Sequence, residues 1–315
     1  MQKKRAKIVK VSICLMTYNH ENYIDQAIQS VLMQRVDFDI EIIIGEDFST
    51  DRTRAIISEY QERYPEKINP IFRPNNIGMK ENFIDTLAHC KGEYVAVLSG
   101  DDYWIDPYKL QKQADFLDEN SDYVLIGHNA IVVDEVKGSS ATLVRHNTNS
   151  YDVSTKDLMI KNHFSASEVM FRNFLVTEFP DVYYLSTGED RRLYLLLSRF
   201  GKCRVSCDIT GVYRKHSNSI TGSRNTNEKK LDALIEQIEN AKNWNQYFEG
   251  KYTEEFEQVR SHQSMKIVKF AWKHFMFKKA LKFAPHVQIN ESMTLKSKVS
   301  FKILQLLSLL INSHD

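Results

Sequence analysis

The sequence predicts an α/β fold: a mostly parallel, Rossmann-like sheet flanked by helices, with a helical C-terminal extension. Three observations carry this. Short apolar runs alternate with amphipathic stretches through the first two thirds of the chain. Two adjacent carboxylates, Asp101 and Asp102, directly follow the apolar run Tyr94-Val95-Ala96-Val97-Leu98, and in open α/β sheets ligands bind at the carboxyl ends of strands. Beyond about Ser223 the strand signals stop and long polar and basic helical stretches take over.

Taken in order, Val9–Met16 reads as a strand. Asn22–Val31 reads as a helix, because Ile24, Ala27, Ile28 and Val31 fall at helical spacing. Phe38–Gly45 carries the buried run Ile40, Ile42, Ile43 and Ile44 of a second strand. Thr53–Tyr64 is a helix closed by Pro65. Ile68–Phe72 is a short strand, Lys80–Cys90 a helix ended by Lys91-Gly92, and Tyr94–Leu98 the strand that leads into the acids. Tyr108–Asn120 is helical and Tyr123–Ile126 starts another strand. The polar region Val133–Thr155 reads as a loop, and Phe164–Phe171 as a strand. Asp190–Phe200 is a helix. Cys203–Arg214 alternates as a strand with Val205, Cys207, Ile209 and Gly211 on one side. Asn227–Phe248 and Glu254–Phe283 are long helices. The boundary falls between a domain of residues 1–223 and a helical region of residues 224–315.

A chain of 315 residues fits one large domain with an appendage, or two domains. Its 42 Lys and Arg against 41 Asp and Glu give a net charge of +1, which excludes bulk attraction to nucleic acid. Cys14, Cys90, Cys203 and Cys207 form neither a zinc spacing nor a disulfide framework, so the chain reads as one from a reducing, cytoplasmic setting. The basic N-terminus (Lys3, Lys4, Arg5, Lys7) is followed by no apolar signal region. The apolar tail Val299–Ile311 is too short to span a bilayer. It suits either a helix docked on protein or, with the lysines upstream, peripheral contact with the inner face of a membrane.

Chemistry-bearing residues gather after the strands. Thr17-Tyr18-Asn19-His20 follows the first, Glu46-Asp47-Phe48-Ser49-Thr50-Asp51 the second, Arg73-Pro74-Asn75-Asn76-Ile77-Gly78 the third, and Ser99-Gly100-Asp101-Asp102 the fourth. Paired hard oxygens at a strand end suit Mg²⁺ or Mn²⁺, which commonly also hold a substrate phosphate. An aromatic ring beside carboxylates suits a nucleobase. Each cluster also has a plain structural use, as a helix cap or a turn.

The order of these motifs resembles the family 2 glycosyltransferases of the GT-A fold. Thr17-Tyr18-Asn19, Glu46 to Asp51, Asn76-x-Gly78 with Asn82 and Gly92, Ser99 to Asp102, Gly188-Glu189-Asp190 and Tyr213-Arg214-x-His216 carry the likeness, over roughly residues 9 to 222. The resemblance implies an inverting transferase that takes a sugar from a nucleotide-diphospho-sugar, most often a UDP-sugar, and uses Mn²⁺ or Mg²⁺. It implies that Thr17, Tyr18, Asn19, Glu46, Asp47, Ser49, Arg73, Asn76, Gly78, Asn82, Ser99, Gly100 and Asp101 line the donor site. Arg214 holds the departing phosphates. Asp101, Asp102 and His216 face the metal, and Asp190, with Glu189 beside it, supplies the base. Trp104, Ser167 and Arg172 fall on the acceptor side, where a glycan or lipid-linked glycan in surface polysaccharide synthesis would sit. Two departures stand out. Ser99 replaces the first acid of the usual Asp-x-Asp-Asp, and Phe48 replaces the glycine of Asp-Asp-Gly-Ser, which implies a different backbone angle or a different pocket wall. A sugar-phosphate nucleotidyltransferase would carry a glycine-rich phosphate loop after the first strand, and none is present. A non-catalytic nucleotide-sugar or glycan-binding module has only Ser99 in its favour.

Overall fold

The computed structural model describes residues 8–136, 138, 140–144, 149–173, 179–186, 189–217, 226–289 and 293–312. The basic N-terminal cluster Lys3, Lys4, Arg5 and Lys7 and the motif residue Gly188 lie outside the described residues. The chain divides into two units. One comprises Met1–Thr155, Asn162–Phe179 and Glu189–Ser219, and the other Lys156–Lys161, Pro180–Gly188 and Ile220–Asp315.

The first unit is an α/β layer structure. Strand β1 (Val11–Thr17), helix α1 (Ile24–Leu32), β2 (Ile40–Glu46), α2 (Thr53–Arg63), β3 (Ile68–Phe72), α3 (Met79–Ala88) and β4 (Tyr94–Ser99) follow one another as the apolar periodicity requires. β5 (Tyr103–Trp104), α4 (Lys109–Glu119), β6 (Tyr123–Asp134), β7 (Ser140–Leu143) and β8 (Tyr151–Val153) come next. α5 (Thr155–Ile160), β9 (Val169–Arg172), α6 (Asp181–Leu185), α7 (Glu189–Leu197) and β10 (Lys202–Lys215) complete the order, α6 and nearly all of α5 falling in the second unit. Among the described residues the sheet runs β3-β2-β1-β4-β9-β6-β10-β5, with β7 beside β6 and β8 beside β10. Strand β1 lies between β2 and β4, parallel to both, and is buried along almost its whole length. That position accounts for its continuous apolar run. Ile13, Leu15, Ile42, Ile44, Ala96 and Leu98 form a core with Ile24, Ile28 and Val31 of α1 and Leu110, Ala114 and Leu117 of α4.

Three local features differ from the sequence expectation. The parallel order is interrupted by β9, which is shorter than the run Phe164–Phe171 and sits antiparallel between β4 and β6. The polar region after Val133 is not all loop. β6 extends to Asp134, and β7 and β8 pair antiparallel at the margins, where one face meets solvent and polar residues are tolerated. In β10 the register shifts between Val205 and Ile209 and again before Gly211. A strand has period two, so such bulges change which residues face inward. Cys203 and Val205 are buried before the shift, Ile209 is exposed, and Thr210, Val212 and Arg214 are buried after it, followed by His216.

The second unit is helical. α8 (Asn227–Tyr247), α9 (Thr253–Lys273), α10 (Phe277–Phe283) and α11 (Leu295–Asn312) enclose a core of Leu231, Ile238, Ile267, Val268, Ala271, Ala280, Phe283, Phe301 and Leu304. The stretch Glu254–Phe283 is therefore two helices rather than one. In α11, Phe301, Leu304 and Ser308 face that core at helical spacing. Val299, Ile303, Leu306 and Leu309 on the same helix are exposed. Among the described residues no helix is long and apolar enough to cross a membrane.

Candidate active site

The carboxyl edge of the parallel strands brings three loops together. After β1 the backbone turns through Asn19 in the left-handed region (φ 54°), an angle Asn tolerates better than most residues. Its amide donates to Ser49 Oγ (2.9 Å), and its side-chain oxygen accepts from the amide of Thr50 (2.8 Å). The loops after β1 and β2 are thereby stapled together. Gly100 follows β4, and a Cβ there would stand 2.6 Å from Thr17 Oγ1 and 3.0 Å from His20 Nδ1. Only glycine lets the ends of β1 and β4 approach this closely.

That approach assembles His20, Asp101 and His216, whose ligand atoms all lie within 4.8 Å of one another. His216 Nε2 is 3.0 Å from Asp101 Oδ2, and His20 Nε2 is 3.9 Å from the same oxygen. Thr17 Oγ1 lies 3.2 Å from His20 Nδ1 and orients that ring. Ser99, which replaces the family's first acid, donates its hydroxyl to Asp101 Oδ1. Burial alone would raise the Asp101 pKa. The His216 contact, the His20 charge and the Ser99 hydroxyl outweigh it and hold the carboxyl at about 2. Burial lowers the His20 pKa, against the pull of Asp101. One ionised carboxylate and two imidazole nitrogens fit a divalent transition metal. Such a mixed set suits Mn²⁺ better than Mg²⁺, which favours all-oxygen shells. His20 was read in sequence only as part of the Thr17–His20 cluster. Its place beside a strand end was visible, but its pairing with Asp101 was not.

Asp102 is not part of this cluster. It is 3% exposed and turned inward, accepting from Ser167 Oγ (2.5 Å) and from the amide of Arg214 (3.0 Å). Burial and the neighbouring Asp101 charge push its pKa well up. Ser167 is thus committed to Asp102, and to accepting from the amide of Ser99 (3.2 Å). Trp104, expected on the acceptor side, is 1% exposed, donates to the Ser167 carbonyl (2.6 Å) and lies under Lys109 Nζ, 4.4 Å from the ring centre. Lys109 is itself fully buried. Its ammonium donates to Gln113 (2.8 Å) and stands 4.0 Å from Glu168, and burial brings its pKa down to about 8. A closed polar network therefore lies beneath the acid pair.

The acids after β2 are also turned inward. Glu46 accepts from the Ser49 amide (2.5 Å) and from Arg54 Nε (2.6 Å) and is fully buried. Asp47 accepts from the amides of Ile77 (2.8 Å) and Gly78 (3.0 Å). Gly78 holds φ 87°. Asn76 Nδ2 donates to the Asp47 carbonyl (3.1 Å), and Asn82 Nδ2 to the Gly45 carbonyl (2.9 Å). Arg73 donates to Asn82 Oδ1 and pairs with Asp85 at 2.5 Å. Two aromatic rings face solvent here beside polar loop residues such as Thr50 and Asn76: Tyr18 is 42% exposed and Phe48 43%. Phe48 keeps the left-handed angle expected of a glycine (φ 62°), and its ring lies 5.7 Å from the Arg54 guanidinium.

Arg214 is held against the metal loop. It donates to the Asp101 carbonyl (2.7 Å) and to Gln26, and stacks on Tyr103 (4.3 Å) and Tyr23 (5.2 Å). Glu189 and Asp190 open α7, with Asp190 half-buried. Arg172 does not belong to this edge. It pairs with Tyr94 at the opposite end of β4 and donates to the carbonyls of Tyr123 (2.8 Å) and Leu117 (2.6 Å), closing the end of α4.

The fold is that of the GT-A transferases. The profile of Glycosyl transferase family 2 matches residues 12–175. The chain belongs to that family. It is 34% identical over 221 residues to the Mycobacterium tuberculosis protein Rv1520, covering 70% of this chain and 63% of Rv1520. The chain thus spans just under two thirds of that relative's length. Among solved structures, S. aureus TarS 1-349 in complex with UDP-GlcNAc superposes with a TM-score of 0.58 at 19% identity, over 89% of this chain and 82% of that one. The mannosyltransferase PcManGT from Pyrobaculum calidifontis, in complex with GDP-Man and Mn²⁺, gives 0.56 at 13% identity over 97% and 84%. At these identities the likeness speaks for the fold.

Proposed function

We propose that the chain is an inverting glycosyltransferase that moves a sugar from a nucleotide-diphospho-sugar to a hydroxyl of a glycan or lipid-linked acceptor. The convergence of Asp101, His216 and His20 at the carboxyl edge of the sheet carries this. These three would hold Mn²⁺, which would offset the charge that builds on the departing diphosphate. Ser99 and Thr17 fix the orientation of two of those ligands, and Gly100 makes room for them. Arg214 adds positive charge beside the same loop.

The carboxylates Glu46 and Asp47 are occupied by protein donors, Asp47 by the loop after β3, so the nucleobase falls to the exposed rings of Tyr18 and Phe48. Stacking accepts any base, and the family's usual UDP-sugar is the first donor to test. In the transfer, the acceptor oxygen bonds to the anomeric carbon as the bond to the diphosphate oxygen breaks. The electron pair leaves with the diphosphate, and the acceptor proton passes to a carboxylate. We assign that carboxylate to Asp190, with Glu189 beside it. The setting that suits a lipid-linked acceptor, in surface polysaccharide synthesis, is the cytoplasm at the inner face of the membrane.

The test is calorimetric binding of UDP, GDP, CDP and dTDP with and without Mn²⁺, on the native protein, Asp101→Ala and Asp190→Asn. Metal-dependent binding that is lost in Asp101→Ala and kept in Asp190→Asn, with transfer lost in both, supports the assignment. Absence of metal-dependent binding for every nucleotide overturns it.

A further inference from the structure

We propose that the corner between α9 and α10 is a docking surface for an anionic lipid bilayer. Helix α9 ends in a Schellman turn: the amide of Met276 donates to the Ala271 carbonyl (2.8 Å) and that of Phe275 to the Trp272 carbonyl (3.3 Å). The residue that must turn left-handed in this motif is ordinarily glycine. Here it is Phe275, at φ 60°. Packing does not explain it, because Phe275 is 80% exposed. Trp272 and Phe277 beside it are 52% and 45% exposed. The Phe277 ring is 5.1 Å from Trp272 and 6.0 Å from Phe275, so the three form one aromatic knob.

The charge around the knob identifies its partner. From Lys266 to Lys282 the sequence has six lysines and no Asp or Glu. Lys269, Lys273, Lys278 and Lys282 are exposed, and none of the four meets a carboxylate among the described residues. Exposed aromatic rings ringed by unpaired lysines fit the headgroup layer. The amphipathic rings settle at the boundary of the acyl chains, and the cations meet acidic lipid phosphates. A second copy of the chain would bring the same lysines against themselves, which disfavours self-association through this corner.

The sequence supplies its own reporter. Of the three tryptophans, Trp104 and Trp244 are buried and Trp272 is exposed. The experiment is titration of the full chain with vesicles of phosphatidylcholine alone, and of equal parts phosphatidylcholine and phosphatidylglycerol, read by co-sedimentation and by tryptophan emission with brominated lipid. Binding to the acidic vesicles only, with a blue shift and quenching absent in Trp272→Phe, is expected. Each lysine close to an anionic surface strengthens binding roughly fivefold. The pair Lys273→Glu and Lys278→Glu should therefore weaken binding more than about tenfold. Phe275→Gly should weaken lipid binding while raising Tm, two opposite movements that unfolding cannot mimic. Vesicle binding without Trp272 quenching, no binding at all, or sedimentation as a dimer that Phe275→Gly dissociates would each overturn the proposal. Nucleotide affinity is measured on the same samples, so a failure here is distinct from a failure of the transferase chemistry.

Discussion

Replacing Phe48 by glycine separates what this residue does for the fold from what it does for a nucleotide. A left-handed backbone costs a non-glycine residue roughly 1–2 kcal/mol, which glycine recovers. Against that, glycine adds chain entropy worth about 0.5–1 kcal/mol to the unfolded state. The lost burial is partial, since the ring is 43% exposed. About half of the 1.5–3 kcal/mol for a fully buried phenylalanine, roughly 1 kcal/mol, is forfeited. These nearly cancel, so Phe48→Gly should change stability by less than about 1 kcal/mol, where a core phenylalanine truncated to alanine costs about 3–5. Phe48→Ala loses the ring but keeps the strain, and should be less stable than Phe48→Gly by about 1 kcal/mol. If the ring stacks on the base, both variants lose roughly 1–3 kcal/mol of nucleotide binding, about 5- to 150-fold in Kd. Calorimetry with UDP and Mn²⁺ gives the affinity, and urea unfolding gives the stability. An unchanged Kd, or a stability loss above about 2 kcal/mol in Phe48→Gly, would refute the reasoning.

Other outcomes follow from the same geometry. His20→Ala should weaken Mn²⁺ binding with little effect on Tm, measured by calorimetry of metal alone; equal metal affinity would remove His20 from the ligand set. Gly100→Ala places a methyl group against Thr17 and His20, and should cost about 1–3 kcal/mol of stability together with metal binding, read by urea unfolding and metal titration. Lys109 titrates near 8 when folded and near 10.5 when unfolded. The unfolded chain therefore binds more protons between those values, and stability rises with pH across that window. Relative to Lys109→Met, the native protein should gain up to about 3 kcal/mol from pH 8 to 10.5, and a flat difference in denaturant titrations would remove the buried cation. Arg172→Ala should lower Tm and leave nucleotide affinity alone.

Most of the fold was legible because its first half is written in local signals. The run Ile40, Ile42, Ile43 and Ile44 reads as a buried strand, and each helix of the parallel half shows its apolar stripe. What was not legible is non-local. The antiparallel place of β9 depends on which strands flank it, since so short an apolar run as Val169-Met170-Phe171 carries no direction. The parity switch in β10 arises from bulges that pair it with β6, and it decides that Arg214 and His216 face the site. The site divides in the same way. Asp101 was readable from its strand end, and the placement of His20 needed the close approach of β1 and β4 that Gly100 permits. Asp102, Ser167 and Trp104 carry the residue types of a binding site, yet their polar atoms are used inside the network. No spacing rule distinguishes a carboxylate that faces a ligand from one that accepts two protein donors.

Two aromatic residues break a local rule for little packing gain. Phe48 and Phe275 both hold left-handed angles that suit glycine, Phe48 partly and Phe275 largely exposed. A glycine would relieve the backbone at either place; at the largely exposed Phe275 folding stability favours it, and at Phe48 the relief nearly cancels against chain entropy and partial burial. Where local chemistry and global fold agree almost everywhere, such disagreements mark residues kept for contact with something outside the fold. At Phe48 the surroundings are the carboxyl edge of the sheet, with Arg54 over the ring; at Phe275 they are unpaired lysines. On the two proposals made above, the same strained residue type would meet two different partners, a base in one unit and a lipid headgroup layer in the other. Phe48→Gly should impair only the first and Phe275→Gly only the second, and a variant that impaired both would show that the rings act through stability after all.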